Sequence, residues 1–435
     1  MLFVYRLLQL LLSPLLILLI GYRYAVGRED RARFAERLGR SNTPRPLGTL
    51  IWFHGASVGE VSSLAPILEH LRRARPDLNL LLTTGTQTGR KMLDKLATTL
   101  PGTGHTITHY VPLDTYFTVR PFIQHWHPTL SVFVESEFWP ELVSAAPNPT
   151  LLNGRISDRS WPRYQQYKWF FRPLLARYHH IMAQRQVDAE RLHFLGAKNV
   201  TVGGNLKFDA PPLIADTNQL DKFRDLIHGR PTLVVASTHP GEEELAAKLH
   251  MQVKAQVPDV LTIIVPRHPH RGTAAANEVQ RITRNIHRRG TGDVPHLGGN
   301  RHTDIYIADT LGELGLWYRL ATVAIIGGSM VPHGGHNPLE PLKLGIPTAT
   351  GPHMFNFQDM IPALTEHNLL HVAASPTALG QHIVALLTTQ GALPQTRQHI
   401  RDIIPTLSGS SHTAATIVLG QIPPEPDNIP PPSVS

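Results

Sequence analysis

The chain has 435 residues, a formal net charge of +8 and no cysteine. That length exceeds one hydrophobic core and sets an expectation of two domains, while the missing cysteines exclude disulfides, thiolate metal sites and a cysteine nucleophile. The positive balance favours anionic partners, but no nucleic-acid-binding motif is present and aromatics do not interleave with the basic residues, so an anionic bilayer or a phosphorylated substrate is expected and nucleic acid is not.

Residues 1–24 form an apolar segment with one early charge, Arg6, followed by Tyr22 and Tyr24. Crossing a bilayer takes about 20 apolar residues, which this stretch just reaches if its tyrosines sit at the interfaces. It is expected to be a membrane anchor, with Pro14 and Gln9 leaving open a helix that only enters one leaflet. Arg23, Arg28, Arg31, Arg33, Arg37 and Arg40 follow. A basic cluster there stays cytoplasmic by the positive-inside rule, which places the rest of the chain on the cytoplasmic side.

From residue 49 apolar strand-like runs alternate with helical stretches. The runs are 49–54, 78–82, one closing at Val111-Pro112-Leu113-Asp114, then 130–134, 150–155, 181–184 and 200–202. Ala210-Pro211-Pro212 breaks the pattern as a linker. A second series covers 233–236, 262–265, 305–308, 323–326 and 348–352, with final helices over 376–419 and a proline-rich tail from Pro423 that reads as disordered. Such alternation predicts an α/β chain with parallel, doubly wound sheets. The expected domains are 25–209 and 210–422, facing each other across a cleft.

Three loops in the second half end apolar runs at small or polar residues: Asp309-Thr310-Leu311-Gly312-Glu313, Gly327-Gly328-Ser329 and Gly334-Gly335-His336-Asn337. Glycines at the carboxyl edge of a parallel sheet let backbone N–H groups approach an anion, and a following helix adds its positive end. Asn337 suits a helix cap and Pro338 the first helical position. Glu340 then stands about one turn in, where a carboxylate accepts two ribose hydroxyls. Arg267, in the turn Pro266-Arg267-His268-Pro269, can grip a phosphate bidentately. Asp309 reads either as a ligand contact or as a plain N-cap, and Lys207 as a hinge-side cation or a solvated lysine.

In the first half Glu60, after Gly55-Ala56-Ser57-Val58-Gly59, is the best candidate base; it reads equally as a first-turn glutamate complementing the helix dipole. Glu135 and Glu137, two apart on a strand end, share a face. No histidine stands in an HExxH pattern, His333 and His336 span a Gly-Gly loop, and no Asp-x-Asp pair occurs. A metal site is therefore not expected, nor any cofactor.

Read together, these motifs resemble bacterial 3-deoxy-D-manno-octulosonic acid (Kdo) transferases, glycosyltransferases of the GT-B type. The matching stretches include His54-Gly55-Ala56-Ser57-Val58-Gly59-Glu60, Glu135-Ser136-Glu137-Phe138-Trp139-Pro140, Gly204-Asn205-Leu206-Lys207-Phe208-Asp209, Pro266-Arg267-His268-Pro269 and Gly334-Gly335-His336-Asn337-Pro338-Leu339-Glu340-Pro341. They run in family order from the anchor to about residue 360; Phe138, where an aliphatic residue is usual, and the tail depart from it. The resemblance implies two Rossmann-like domains and metal-independent, inverting transfer of Kdo from CMP-Kdo to the lipid A precursor at the inner membrane. It implies that Glu60 is the general base and that Glu137 and Lys207 assist. It implies that Arg267, His268, Asp309, Thr310, Leu311, Gly334, Gly335, His336, Asn337 and Glu340 hold CMP. Two other readings stay open: a GT-B transferase using a UDP-sugar, and a non-catalytic membrane-bound scaffold.

Overall fold

The computed structural model describes residues 2–27, 29–299 and 302–423. The chain forms two compact units, one running to Ala210 and resumed from Leu407, the other Pro211–Thr406.

The first unit is built on β1 (Leu50–His54), β2 (Asn79–Thr84), β3 (Thr106–Tyr110), β4 (Leu130–Val134), β5 (Pro149–Gly154), β6 (His180–Ala183) and β7 (Val200–Val202). They pair in parallel in the order β3-β2-β1-β4-β5-β6-β7. The central strands are apolar at successive positions because helices cover both faces of a parallel sheet. Trp52 packs edge-on against Phe122 and Phe133 on one face, at ring distances of 5.0 and 5.2 Å. Ile51, Phe53, Leu80 and Val132 point into the other.

The second unit repeats the plan with β8 (Thr232–Thr238), β9 (Leu261–Pro266), β10 (Ile286–Arg288), β11 (Ile305–Ile307), β12 (Val323–Ile326), β13 (Thr348–Thr350) and β14 (Leu370–Val372), in the order β10-β11-β9-β8-β12-β13-β14. Strand order reverses between β1 and β4 in one sheet and between β8 and β12 in the other. A crevice opens at the carboxyl ends of the strands at such a switch point. β10 and β14 are absent from the sequence expectation: each is three residues long, at a sheet edge, without a buried apolar run.

One domain expectation needs correction. The helix Ser410–Leu419, assigned to the second domain from its place in the chain, belongs to the first unit. Its Ala414, Ala415 and Val418 share a buried cluster with Leu64, Leu68 and Leu71. Asp209 fixes its start, accepting from Gly409 N at 2.7 Å and from Ser411 N. The proline-rich stretch Pro430-Pro431-Pro432 lies outside the described residues.

The N-terminal segment is a single helix, Leu2–Ala25, tied to the first unit by its polar side chains. Tyr5 donates to Asp114 Oδ2 at 2.7 Å, and Arg6 forks onto Glu141 at 2.6 and 2.9 Å. Leu7, Leu8, Leu11, Leu15, Leu18 and Leu19 are exposed. No helix among the described residues is long and apolar enough to cross a membrane; Arg6, Gln9 and Arg23 interrupt the apolar run here. Of the arginines that follow, three are engaged within the unit: Arg23 pairs with Glu29 at 2.7 Å, Arg33 with Glu36, and Arg37 donates to Val111 O at 2.6 Å, while Arg31 and Arg40 are exposed.

Candidate active site

In the first unit the switch point falls between His54, the last residue of β1, and the turn after β4. Glu135 takes a left-handed backbone conformation, φ 66°, rare for a residue with a side chain and disfavoured by about 1 kcal/mol or more. Glu137 stands two residues on. His54 Nε2 lies 3.2 Å from Glu137 Oε2, and Trp139 Nε1 donates to the same oxygen. The Tyr178 hydroxyl holds the Glu137 carbonyl at 2.6 Å. Behind them, Thr83 Oγ1 bonds His54 Nδ1 at 3.0 Å and accepts from Trp52 Nε1 at 2.8 Å, which fixes the imidazole.

Glu60 lies in the first turn of the helix Val58–Ala74, which Ser57 caps. Ser57 Oγ accepts from Glu60 N at 3.3 Å and donates to Glu60 Oε1 at 2.7 Å, a reciprocal capping box. Glu60 Oε2 accepts from Ala56 N at 2.7 Å. The helix-capping reading and the base reading thus meet in one side chain. Burial, and then the negative charge of Glu135, push the Glu60 carboxyl up to about 7; Glu137 adds to the rise. Lys207 Nζ pairs with Glu135 at 2.7 Å. Glu60, Glu135, Glu137 and Lys207, scattered in sequence, therefore form one charged group. A carboxyl poised near neutrality is suited to take a proton from a hydroxyl. His54 was given no role of its own in the sequence reading; its place at the end of the first strand was the available signal.

In the second unit, the loops do different things. The Gly327-Gly328-Ser329 loop does form an anion nest, but Glu242 already fills it. Glu242 Oε2 accepts from Gly328 N at 2.6 Å and His239 N at 3.0 Å, and Oε1 from Ser329 N and Met330 N, both at 3.1 Å. The expectation that this loop presents its N–H groups to a ligand is corrected accordingly. Asp309 does not cap a helix: it accepts from Arg288 Nε at 2.5 Å and Gly290 N at 2.7 Å. Glu313 takes Arg289 at 2.6 and 3.2 Å and the Thr310 hydroxyl, and Leu311 is 81% exposed.

The third loop gives one backbone N–H to the second, Gly335 N donating to Gly328 O at 2.8 Å. Gly334 and Gly335 have φ 95° and 71°, and a Cβ on them would strike Asn356 and Met354. The next helix is only Leu339–Leu342, so Pro338 precedes it, and Asn337 Oδ1 accepts from Leu339 N at 3.0 Å. So short a helix supplies little dipole. Charge here comes from side chains instead. His239 Nε2 meets His336 Nε2 at 2.9 Å, and the His333 ring stacks on His239 at 4.2 Å. Burial first, then His239 and Arg267, push His336 down to about 4, so it is a neutral donor or acceptor at physiological pH. Burial raises Glu340 to about 7 against an Asn337 hydrogen bond and the Arg267 charge. Arg267 and His268 are exposed. Arg267, His336, Asn337 and Glu340 therefore surround one patch that offers cationic, neutral and carboxylate groups.

A family model for the 3-deoxy-D-manno-octulosonic-acid transferases (kdotransferases) matches residues 32–210. The 3-deoxy-D-manno-octulosonic acid transferase of Haemophilus influenzae is 34% identical over 400 residues, covering 89% of this chain and 91% of that one. A probable mitochondrial counterpart in Arabidopsis thaliana is 32% identical, with 93% of each chain covered. A glycosyltransferase structure from Rickettsia africae is 12% identical with a TM-score of 0.54, over 86% of this chain and 99% of that one, a likeness of fold alone. With two doubly wound sheets of this order, and with relatives this similar over almost its whole length, the chain belongs to the 3-deoxy-D-manno-octulosonic acid transferases, glycosyltransferases of lipopolysaccharide core synthesis.

Proposed function

We propose that this chain moves Kdo from CMP-Kdo to the lipid A precursor, with Glu60 as general base and inversion at the anomeric carbon. The Glu60 carboxylate takes the proton of an acceptor hydroxyl. That oxygen attacks the anomeric carbon, and the bond to the CMP phosphate oxygen breaks, its electron pair leaving with CMP. The carrying observation is the Glu60 carboxyl, held by Ala56 N and Ser57 Oγ, raised to about 7 and set beside Glu135 and Glu137. Lys207, paired with Glu135, offsets part of that negative charge.

The second unit supplies the nucleotide contacts in this reading. Arg267 and the backbone N–H groups of Gly334 and His336, on a turn that Gly335 makes, meet the phosphate, where negative charge grows as the bond breaks. Glu340 and Asn337 take the ribose. Asp309, Thr310 and Leu311 shape the neighbouring wall through Arg288 and Arg289, and His268 borders it. The reaction needs no bound metal in this scheme. The exposed leucines of the helix Leu2–Ala25 hold the chain on the cytoplasmic face of the inner membrane, lying on or entering the leaflet.

Incubation with CMP-Kdo and tetra-acylated lipid A precursor, followed by mass spectrometry, tests the reading. The expected product carries added Kdo, and CMP competes with the donor where UDP does not. Competition by UDP alone would assign a different donor.

A further inference from the structure

Two hollows in the first unit share a wall. The smaller, about 310 Å³, is bordered by His54, Ala56, Asp114, Glu137 and Trp139. The larger, about 740 Å³, is bordered by Leu10, Ile20 and Gly21 of the N-terminal helix and by Phe34, Leu38 and Phe117 of the unit it lies on. Gln9, Leu113 and Thr115 line both. From the smaller hollow to the larger the lining changes from carboxylates and an imidazole, through a shared amide and hydroxyl, to aliphatic and aromatic side chains.

We infer that the larger hollow receives an acyl chain of the acceptor, whose sugar headgroup sits in the smaller hollow beside Glu137. This rests on the proposed lipid acceptor. Three features favour a substrate chain over a bulk bilayer contact or a second copy of the protein. The apolar hollow adjoins, across Gln9, Leu113 and Thr115, the smaller hollow that Glu137 borders, so whatever fills it is positioned relative to that carboxylate. Its volume lies within the range of about 300–1,000 Å³ common for small-molecule sites. The polar-to-apolar order also matches an amphiphile entering tail first.

The same geometry divides the N-terminal helix into two working sides. Leu7, Leu11, Leu15 and Leu18 face outward, while Gln9, Ile20 and Gly21 face the hollow. Tyr5 and Arg6 hold the helix in register through Asp114 and Glu141. The helix is a wall of the acceptor site as well as a membrane contact.

A Cβ on Gly21 meets nothing within 4 Å, so Gly21→Trp fills the hollow without displacing backbone. Phe117→Glu, at a ring 75% exposed, puts a charge at its mouth with little risk to folding. In detergent micelles with CMP-Kdo and acylated precursor, both variants should raise the acceptor KM at least about tenfold with kcat unchanged. Melting temperature and binding to anionic phospholipid vesicles should stay as in the unmodified protein. If Gly21→Trp lowers the melting temperature, Phe117→Glu carries the test. An unchanged KM overturns the inference, as does a KM rise accompanied by loss of vesicle binding, which would make the hollow a bilayer contact. Failure of the unmodified protein to use the acylated precursor would instead overturn the acceptor reading, and the slot would fall with it.

Discussion

The two sheets share strand order and switch point, yet their crevices are furnished in opposite ways. In the first unit, three carboxylates crowd together with one lysine, and the strain appears as a Glu60 that holds its proton up to about 7. In the second, a carboxylate is used to satisfy backbone: Glu242 takes four N–H groups and fills the glycine nest itself. One fold thus carries a group kept reactive in one copy and a group kept quiet in the other. Glu60 is raised by burial first and then by the charges of Glu135 and Glu137, against two donors, whereas the Glu242 oxygens are taken up by four backbone N–H groups.

The comparison breaks first at Glu60. Glu60→Gln should lower Kdo transfer by about a hundredfold or more while CMP binding and folding persist. In the unmodified enzyme kcat/KM should fall on the acid side with an apparent pKa of about 7, because the base is protonated below it. That limb should vanish in the variant. The stability effect has the opposite sense: the folded carboxyl binds its proton more tightly than the unfolded one, near pH 4.3. Stability therefore declines as pH rises from about 4 to 7, and Glu60→Gln should flatten that slope in denaturant titrations. Near-normal transfer by Glu60→Gln removes it from the role.

Glu242→Ala tests the other side. It strips the acceptor from four backbone donors and should destabilise the protein by about 3 kcal/mol, read by chemical unfolding, with Glu242→Gln recovering part. A loss within error would mean that the nest is satisfied in another way. The smallest expected effect is at Glu340. As pH falls through about 7 its carboxyl gains a proton and gives up one acceptor role, so CMP affinity should weaken toward low pH. Calorimetry on Glu340→Gln should show about tenfold weaker binding without that pH dependence. Unaltered CMP affinity would place the ribose elsewhere.

Most of the architecture was legible because buried parallel strands are written as apolar runs: 130–134 and 323–326 match the observed strands end to end, and 200–202 matches at a sheet edge where the strand is not buried. Glu60 was legible because Ser57 and the flanking glycines mark a turn into a helix. Three things were not. The Lys207 to Glu135 pair joins residues far apart in sequence, brought together only by sheet order. Glu242 looks like any first-turn acid until the Gly328 backbone is placed above it. Asp309 looked like a cap because local spacing cannot show that Arg288 arrives from an edge strand.

The return of the helix Ser410–Leu419 to the first unit has a consequence for biogenesis. On the ribosome, the face formed by Leu64, Leu68 and Leu71 stays uncovered until the final turns emerge, so the first half to be synthesised is the last to be completed. The intervening Pro211–Thr406 unit can close earlier, as an insertion within an unfinished host. Translation arrest anywhere before residue 419 leaves a greasy surface beside the nascent carboxylate cluster, a ready target for quality control.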